Sequence, residues 1–281
     1  MSASGDAYKV SSLKGKVTLI TGASSGIGAG TSVLFAKLGA VLALNGRDVE
    51  SLQKVAKECK ECGGGAEPLL VPGDLTDEDT VKRIVPEVMA RFGRLDVLVN
   101  NAGILAMGGI ETSDLATYDR VMNINVRSNQ YFIARSVYHL TQVCVPHLIK
   151  TKGSIVNVSS ITGMRPVPGI LAYCMSKSVI DQFTRCVALE LASKQVRVNS
   201  VSPGVVATNV FKRAGMDEKA NAKVLEQCKL TNALGRPGEV DEVANSIAFL
   251  ASDTASFITA VNLPIDGGHH AMIPKETLTV E

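Results

Sequence analysis

Val17-Thr18-Leu19-Ile20-Thr21-Gly22-Ala23-Ser24-Ser25-Gly26-Ile27-Gly28 decides the fold. A short apolar strand runs straight into the pattern T-G-x-x-x-G-x-G, and a helical stretch follows to Leu38. This is how a βαβ unit opens. Thr21, Gly22, Ser24, Ser25, Gly26, Ile27 and Gly28 form the turn. Its glycines permit a tight bend and a close approach of backbone to a pyrophosphate, and the helix N-terminus adds free N–H groups and a favourable dipole. The stretch reads as a dinucleotide-binding loop.

Outward from this loop, apolar runs alternate with helical segments. Further strands are expected at Val41–Leu44, Pro68–Val71, Val97–Asn100, Ser154–Val158, Val196–Val201 and Asn262–Ile265. Their hydrophobicity is continuous rather than alternating, so both faces of the sheet should be covered. Helices are expected at Gly28–Leu38, Val49–Cys62, Asp77–Arg91, after Asp114, at Ala172–Ser193 and at Glu239–Ala251. The fold class is therefore α/β: a single-domain, doubly wound parallel sheet (Rossmann fold) of about seven strands. The 281 residues divide into a polar N-terminal extension at 1–12, one domain at 13–268 and a tail at 269–281.

Composition narrows the function classes. Charged residues are 20% and hydrophobic residues 46%, as in a soluble globular protein. The net charge of +2 and the absence of Trp give no case for nucleic acid. No apolar run reaches the roughly 18 residues of a membrane span, and Met1–Lys16 lacks the apolar core of a signal peptide. Of six cysteines only Cys59 and Cys62 form a C-x-x-C pair, so neither a zinc site nor a disulfide framework is expected. The reading is a cytoplasmic protein without a metal site.

The residues after the second strand choose between dinucleotides. An acid there would hold ribose hydroxyls; here the sequence is Asn45-Gly46-Arg47-Asp48. Arg47 can pair with a 2′-phosphate, and no acid at the strand end repels it, so NADP(H) is the expected cofactor. Asp74, in Gly73-Asp74-Leu75, is expected to accept a hydrogen bond from the adenine amino group. Tyr173 and Lys177 stand four residues apart at the start of a helix and share its face. An ammonium beside a phenol should lower the phenol pKa and equip it for proton exchange. Ser160, thirteen positions upstream, ends a strand at the carboxyl edge of the sheet and is expected to polarise a carbonyl.

Together these motifs resemble the short-chain dehydrogenase/reductase family, and within it 3-oxoacyl-carrier-protein-reductase-like and carbonyl-reductase-like members. The matching pieces are Thr21–Gly28, Asp74, N-N-A-G at Asn100–Gly103, Asn125, Ser160, Tyr173-x-x-x-Lys177, Pro203-Gly204, Thr208 and Asp266-Gly267-Gly268. The resemblance implies Tyr173 as general acid/base and Lys177 on the nicotinamide ribose. It implies Ser160 orienting the carbonyl and Asn125 anchoring a water on the path to Lys177. It places Asn101, Ala102 and Gly103 along the adenine ribose, and Pro203, Gly204, Val206 and Thr208 along the nicotinamide. It implies a small carbonyl or alcohol substrate and a homo-oligomer, dimer or tetramer.

One departure stands out. Asn125 and Ser160 are 35 positions apart, roughly eight more than the family pattern, and Arg-Ser recurs at 127–128 and 135–136. Eight extra residues in a continuous helix would rotate its downstream face by about 80°. The extra length is therefore expected to loop out or bulge near 129–136, with consequences for assembly or for Asn125. An alternative follows from it: a nucleotide-bound sensor or scaffold with impaired catalysis. Val205–Gly238 should cover the substrate, with Val205, Val206, Val210, Phe211, Met216 and Leu225 as its apolar wall. Its lysines suggest either a surface for a phosphopantetheine-bearing carrier or a solvated charged helix. His269 and His270 are read as a surface pair.

Overall fold

A computed structural model of the chain describes residues 12–125 and 136–272. Seven parallel strands form one sheet: β1 (Val17–Ile20), β2 (Val41–Gly46), β3 (Leu69–Pro72), β4 (Val97–Asn100), β5 (Ser154–Val158), β6 (Arg197–Pro203) and β7 (Asn262–Ile265). Their order is β3-β2-β1-β4-β5-β6-β7. The order reverses between β1 and β4, which opens a crevice beyond their carboxyl ends. The expected architecture is present.

The first face of the sheet is covered by α1 (Gly26–Lys37), α2 (Val49–Cys62) and α9 (Val240–Ala251). Ile20, Val99 and Val156 pack there against Phe35, Leu52, Val243 and Ile247. The opposite face takes α3 (Glu78–Phe92), α5 (Ser136–Thr151) and α6 (Leu171–Ala192). Leu19, Leu98 and Ile155 meet Ile84, Leu140, Cys144, Leu148 and Ala188. Adjacent strand residues thus serve opposite layers, which explains the unbroken apolar runs. Each fully buried Leu or Ile contributes about 1.5–3 kcal/mol. Of the remaining α-helices, α4 (Leu115–Asn125) packs Val121 and Met122 against Ala172 and Val179 of α6, while α7 (Val210–Arg213) and α8 (Glu218–Thr231) follow β6 and border the crevice.

Element ends differ from expectation where they matter for function. β6 runs two residues beyond Val201 because Ser202 and Pro203 pair with Pro264 and Ile265. That pairing carries Pro203 to the crevice. β3 ends at Pro72 rather than Val71, following β2 as far as Gly46. α1 begins at Gly26 rather than Gly28, so its first turn lies inside the glycine-rich stretch. A polar rung crosses the sheet: Asn100 Nδ2 donates to Asn157 Oδ1 (2.9 Å) and Thr141 Oγ1 (3.2 Å), and Asn157 Nδ2 donates to Thr184 Oγ1 (2.9 Å). All four residues are buried, so these bonds tie β4, β5, α5 and α6 in one register. The extra length suspected at 129–136 lies outside the described residues, except for Ser136 at the start of α5.

Cys59 and Cys62 sit at the end of α2, and all six cysteines of the chain are free thiols. Burial pushes the Cys59 thiol up to about 12, which leaves no reactive thiolate at neutral pH.

Candidate active site

A cavity of about 740 Å³ occupies the crevice. On its walls stand Gly22, Ser24, Ser25, Gly26, Ile27, Arg47, Asp74, Leu75, Asn101, Ala102, Gly103, Ser160, Tyr173, Lys177, Pro203, Gly204, Val206 and Thr208. Three residues expected at the site, Thr21, Gly28 and Asn125, do not line it. All three are buried and work beneath the surface.

Thr21 and Gly28 build the turn. Thr21 Oγ1 accepts from the backbone N–H of Asn101 (3.0 Å) and Ala102 (3.1 Å), and Asn101 Nδ2 donates to Thr21 O (2.9 Å) and Gly22 O (3.2 Å). These bonds sew the loop after β1 to the loop after β4. A Cβ at Gly28 would lie 2.3 Å from Gly22 O, so only glycine lets the turn close. Gly22 has φ +63°, and a Cβ there would also meet Ala102 Cα at 2.9 Å. Ser25, the residue before α1, makes no side-chain cap bond. The first N–H groups of α1 therefore have no side-chain cap at the cavity edge, the arrangement that receives an anion.

At the far end of this half, Arg47 and Asp74 face each other across 3.4 Å. Burial alone would raise the Asp74 pKa, but the Thr76 N–H and hydroxyl, with Arg47, outweigh it and hold the carboxyl below its usual range. Arg47 is 61% exposed, so its guanidinium also faces outward.

The end of the cavity that holds Ser160, Tyr173 and Lys177 is assembled by α6 and the end of β5. Lys177 is buried and its Nζ donates to Val158 O at 2.9 Å. The same Nζ lies 5.5 Å from the centre of the Tyr173 ring. Ser160 Oγ accepts from Thr162 N at 3.2 Å and reaches Pro203 O at 3.5 Å. The electrostatics correct the expectation for Tyr173. Burial pushes its hydroxyl up to about 12, against a downward pull from Ser160, and the ammonium does not reverse this. Burial also draws Lys177 down to about 8. Burial shifts both groups toward their neutral forms, yet at neutral pH Lys177 still carries its proton.

Asn125 ends α4 and binds two other elements. Its Oδ1 accepts from Ile104 N (2.7 Å), and its Nδ2 donates to Ile104 O (2.8 Å) and Ser176 Oγ (3.0 Å). Ser176 in turn donates to Tyr173 O at 2.7 Å. The side chain is a clamp between the loop after β4 and the first turn of α6.

The substrate half differs in part from expectation. Val205, Val206, Val210, Phe211 and Met216 line the cavity, but Val224 takes the place foreseen for Leu225. The face of α8 turned inward is Val224, Gln227, Cys228 and Thr231, at helical spacing. Lys212 pairs with Glu218 and Lys229 with Glu226, each in exposed surroundings. That pairing suits a solvated charged surface. The surface reading holds for His270, which is exposed, and needs correction for His269. His269 lines the cavity with Nδ1 3.0 Å from Asn232 Oδ1, whereas His270 Nδ1 lies 2.8 Å from Asp266 Oδ2. Arg165, which the sequence reading missed, holds this turn by donating from Nη1 to His269 O (2.7 Å) and Met272 O (3.0 Å). No local motif marks a contact between positions 104 apart.

Among the described residues no group of His, Cys, Asp and Glu is placed to hold a metal ion. None of their helices is long and apolar enough to cross a membrane.

Comparison with known proteins agrees with this geometry. The family model described as enoyl-(acyl carrier protein) reductase matches residues 22–270. The chain is 40% identical over 257 residues to the 3-oxoacyl-[acyl-carrier-protein] reductase of Thermotoga maritima, covering 91% of this chain and 98% of that protein. It is 35% identical to the meso-2,3-butanediol dehydrogenase of Serratia marcescens, covering 90% and 94%. Among solved structures, a short-chain dehydrogenase/reductase of unknown function from Caenorhabditis elegans, with cofactor, superposes with a TM-score of 0.86 at 33% identity, covering 95% and 99%. The chain belongs to the short-chain dehydrogenase/reductase family.

Proposed function

We propose that this oxidoreductase interconverts a carbonyl and an alcohol with NADP(H), with Tyr173 as the acid/base. The observation that carries the reading is the convergence of Ser160, Tyr173 and Lys177 on one wall of a cavity whose other end is the glycine turn. The chain's residues fit a dinucleotide: the Gly22–Gly28 turn leaves no room for a Cβ at either end, and the first N–H groups of α1 have no side-chain cap. Gly22, Ser24, Ser25, Gly26 and Ile27 would hold the pyrophosphate. Arg47 would hold the 2′-phosphate and Asp74 the adenine, with Leu75 beside it. Asn101, Ala102 and Gly103 would border the adenine ribose, and Lys177 would hold the nicotinamide ribose. Pro203, Gly204, Val206 and Thr208 would border the nicotinamide. When bound, the nicotinamide supplies the hydride.

The protein's part is then proton handling and orientation. Ser160 Oγ donates a hydrogen bond to the carbonyl oxygen and fixes its direction. Tyr173, whose proton is held firmly at neutral pH, donates it to the same oxygen as charge develops there. Asn125 contributes by position, holding the first turn of α6 against the loop after β4. The juxtaposed Ser160, Tyr173 and Lys177 favour an enzyme over a catalytically impaired sensor. The wall of Phe211, Met216, Val224 and Cys228 favours a largely apolar substrate. Exposed Leu189 and Phe257 suit assembly into a dimer or tetramer, which light scattering would measure.

The test is NADPH oxidation across ketones, quinones, steroids, sugars and acyl thioesters, with NADPH and NADH dissociation constants measured in parallel. Turnover with at least one carbonyl class and tighter NADPH binding are expected. Tight NADPH binding with no turnover would favour the sensor, and equal NADH binding would refute the cofactor assignment.

A further inference from the structure

The face of α6 that carries Tyr173 and Lys177 carries a third ionisable group. Asp181 lies one turn beyond Lys177 and is 2% exposed. Both carboxyl oxygens are buried, and among the described residues neither makes a hydrogen bond of ordinary geometry, although the Ser159 hydroxyl lies nearby. Burying a carboxyl in this way is costly unless a charge or a fixed dipole offsets it.

Its surroundings identify the offset. Lys177 precedes it by one turn and Arg185 follows by one turn, but Arg185 is exposed and donates from Nε and Nη2 to Gln182 Oε1. Gly163, in the turn after Ser160, lies directly on the carboxyl. A Cβ there would stand 2.5 Å from Asp181 Oδ2 and 2.9 Å from the Lys177 carbonyl. Two bonds hold this contact: Ser159 Oγ donates to Lys177 O (3.2 Å) and Ser178 Oγ donates to Gly163 O (2.8 Å). The segment 159–163 is thus pressed onto the 177–181 turn of α6 with no spare volume, and Ser160 rides on that segment.

We propose that Asp181 is a positioning residue that acts through Lys177: its carboxylate keeps the buried ammonium charged and, with Gly163, seats the Ser160 segment against the helix that carries Tyr173. The inference rests on the reading of Lys177 as the holder of the nicotinamide ribose. Burial draws Lys177 down and Asp181 pulls it back up. Burial holds the Asp181 carboxyl above its usual range; the Ser159 hydroxyl first, then Arg185 and Lys177, offset this only in part. Among the described residues, the titratable groups facing Lys177 are Tyr173 and Asp181, and those facing Asp181 are Lys177 and Arg185. The end of β5 and the turn after it present carbonyl and hydroxyl groups to them.

The test is the NADPH dissociation constant of the full-length protein between pH 6 and 10, read from nicotinamide fluorescence. In the parent protein binding should weaken as Lys177 loses its proton, with a midpoint near 8. In Asp181→Asn the midpoint should move down by about one pH unit, because the amide keeps the volume and removes the charge. The alkaline limb of kcat/KM for carbonyl reduction should move in the same direction. Gly163→Ala should lower kcat at least tenfold with NADPH affinity retained, since it disturbs Ser160 and not the charge. If Asp181→Asn does not fold, Asp181→Thr gives the same readout. An unshifted midpoint in a folded variant overturns the proposal. Lys177→Met separates the two failures. If it leaves NADPH binding and its pH dependence untouched, the reading of Lys177 is wrong. If it abolishes the midpoint while Asp181→Asn does not move it, only the role of Asp181 is wrong.

Discussion

The two halves of the cavity are built on different terms. The nucleotide half is made of backbone. Its turn is closed by glycines that no other residue can replace, and Thr21 and Asn101 sew it to the neighbouring loop with bonds of 2.9–3.3 Å. The substrate half is made of side chains on short or exposed elements. The four-residue α7 buries nothing, and Cys228 is the buried residue of α8. Dinucleotide chemistry is constant, so a rigid backbone cradle suits it. A substrate wall of Phe211, Met216 and Val224 changes shape with one substitution and leaves the sheet alone.

Four substitutions test this contrast, in descending order of effect. Tyr173→Phe removes the proposed proton donor, and steady-state kinetics should show turnover down about 10²–10⁴-fold. NADPH should still bind; undiminished turnover would end the assignment. Gly28→Ala places a methyl 2.3 Å from a backbone oxygen. It should cost about 1–3 kcal/mol or more in thermal unfolding and abolish NADPH binding. Arg47→Ala should weaken NADPH by roughly ten- to a hundredfold in titration calorimetry and leave NADH nearly unchanged. Val224→Ala, in the other half, should alter kcat/KM between carbonyl substrates by about tenfold at most, with the melting temperature barely moved. If Val224→Ala unfolds the protein, the contrast between the halves is wrong.

The same contrast explains what could be read in the sequence. The nucleotide half is legible because its chemistry is local: glycine spacing, a strand before and a helix after fit within Val17–Leu38. Ser160 and Tyr173-x-x-x-Lys177 are legible for a similar reason, each fixed by a strand end or one helical turn. The sheet follows from its apolar runs. What was not legible depends on tertiary phase. Which side of α8 faces inward is set by packing, so the apolar pattern points to Leu225 where Val224 stands. The direction of the Tyr173 shift depends on how deeply its hydroxyl is buried, which spacing does not record. The role of His269 depends on Arg165, far away in the chain.

That bond has a kinetic consequence. The cavity is walled by residues from Gly22 to His269, and its closing contact joins positions 104 apart. Such non-local closure is slow, because chain entropy must be lost before the contact rewards it. Recovered activity should therefore lag behind recovered helix content when the denatured chain is returned to native conditions. The enzyme's own turnover becomes the late clock of its folding, while the glycine turn near the start of the chain is among the structures able to form early.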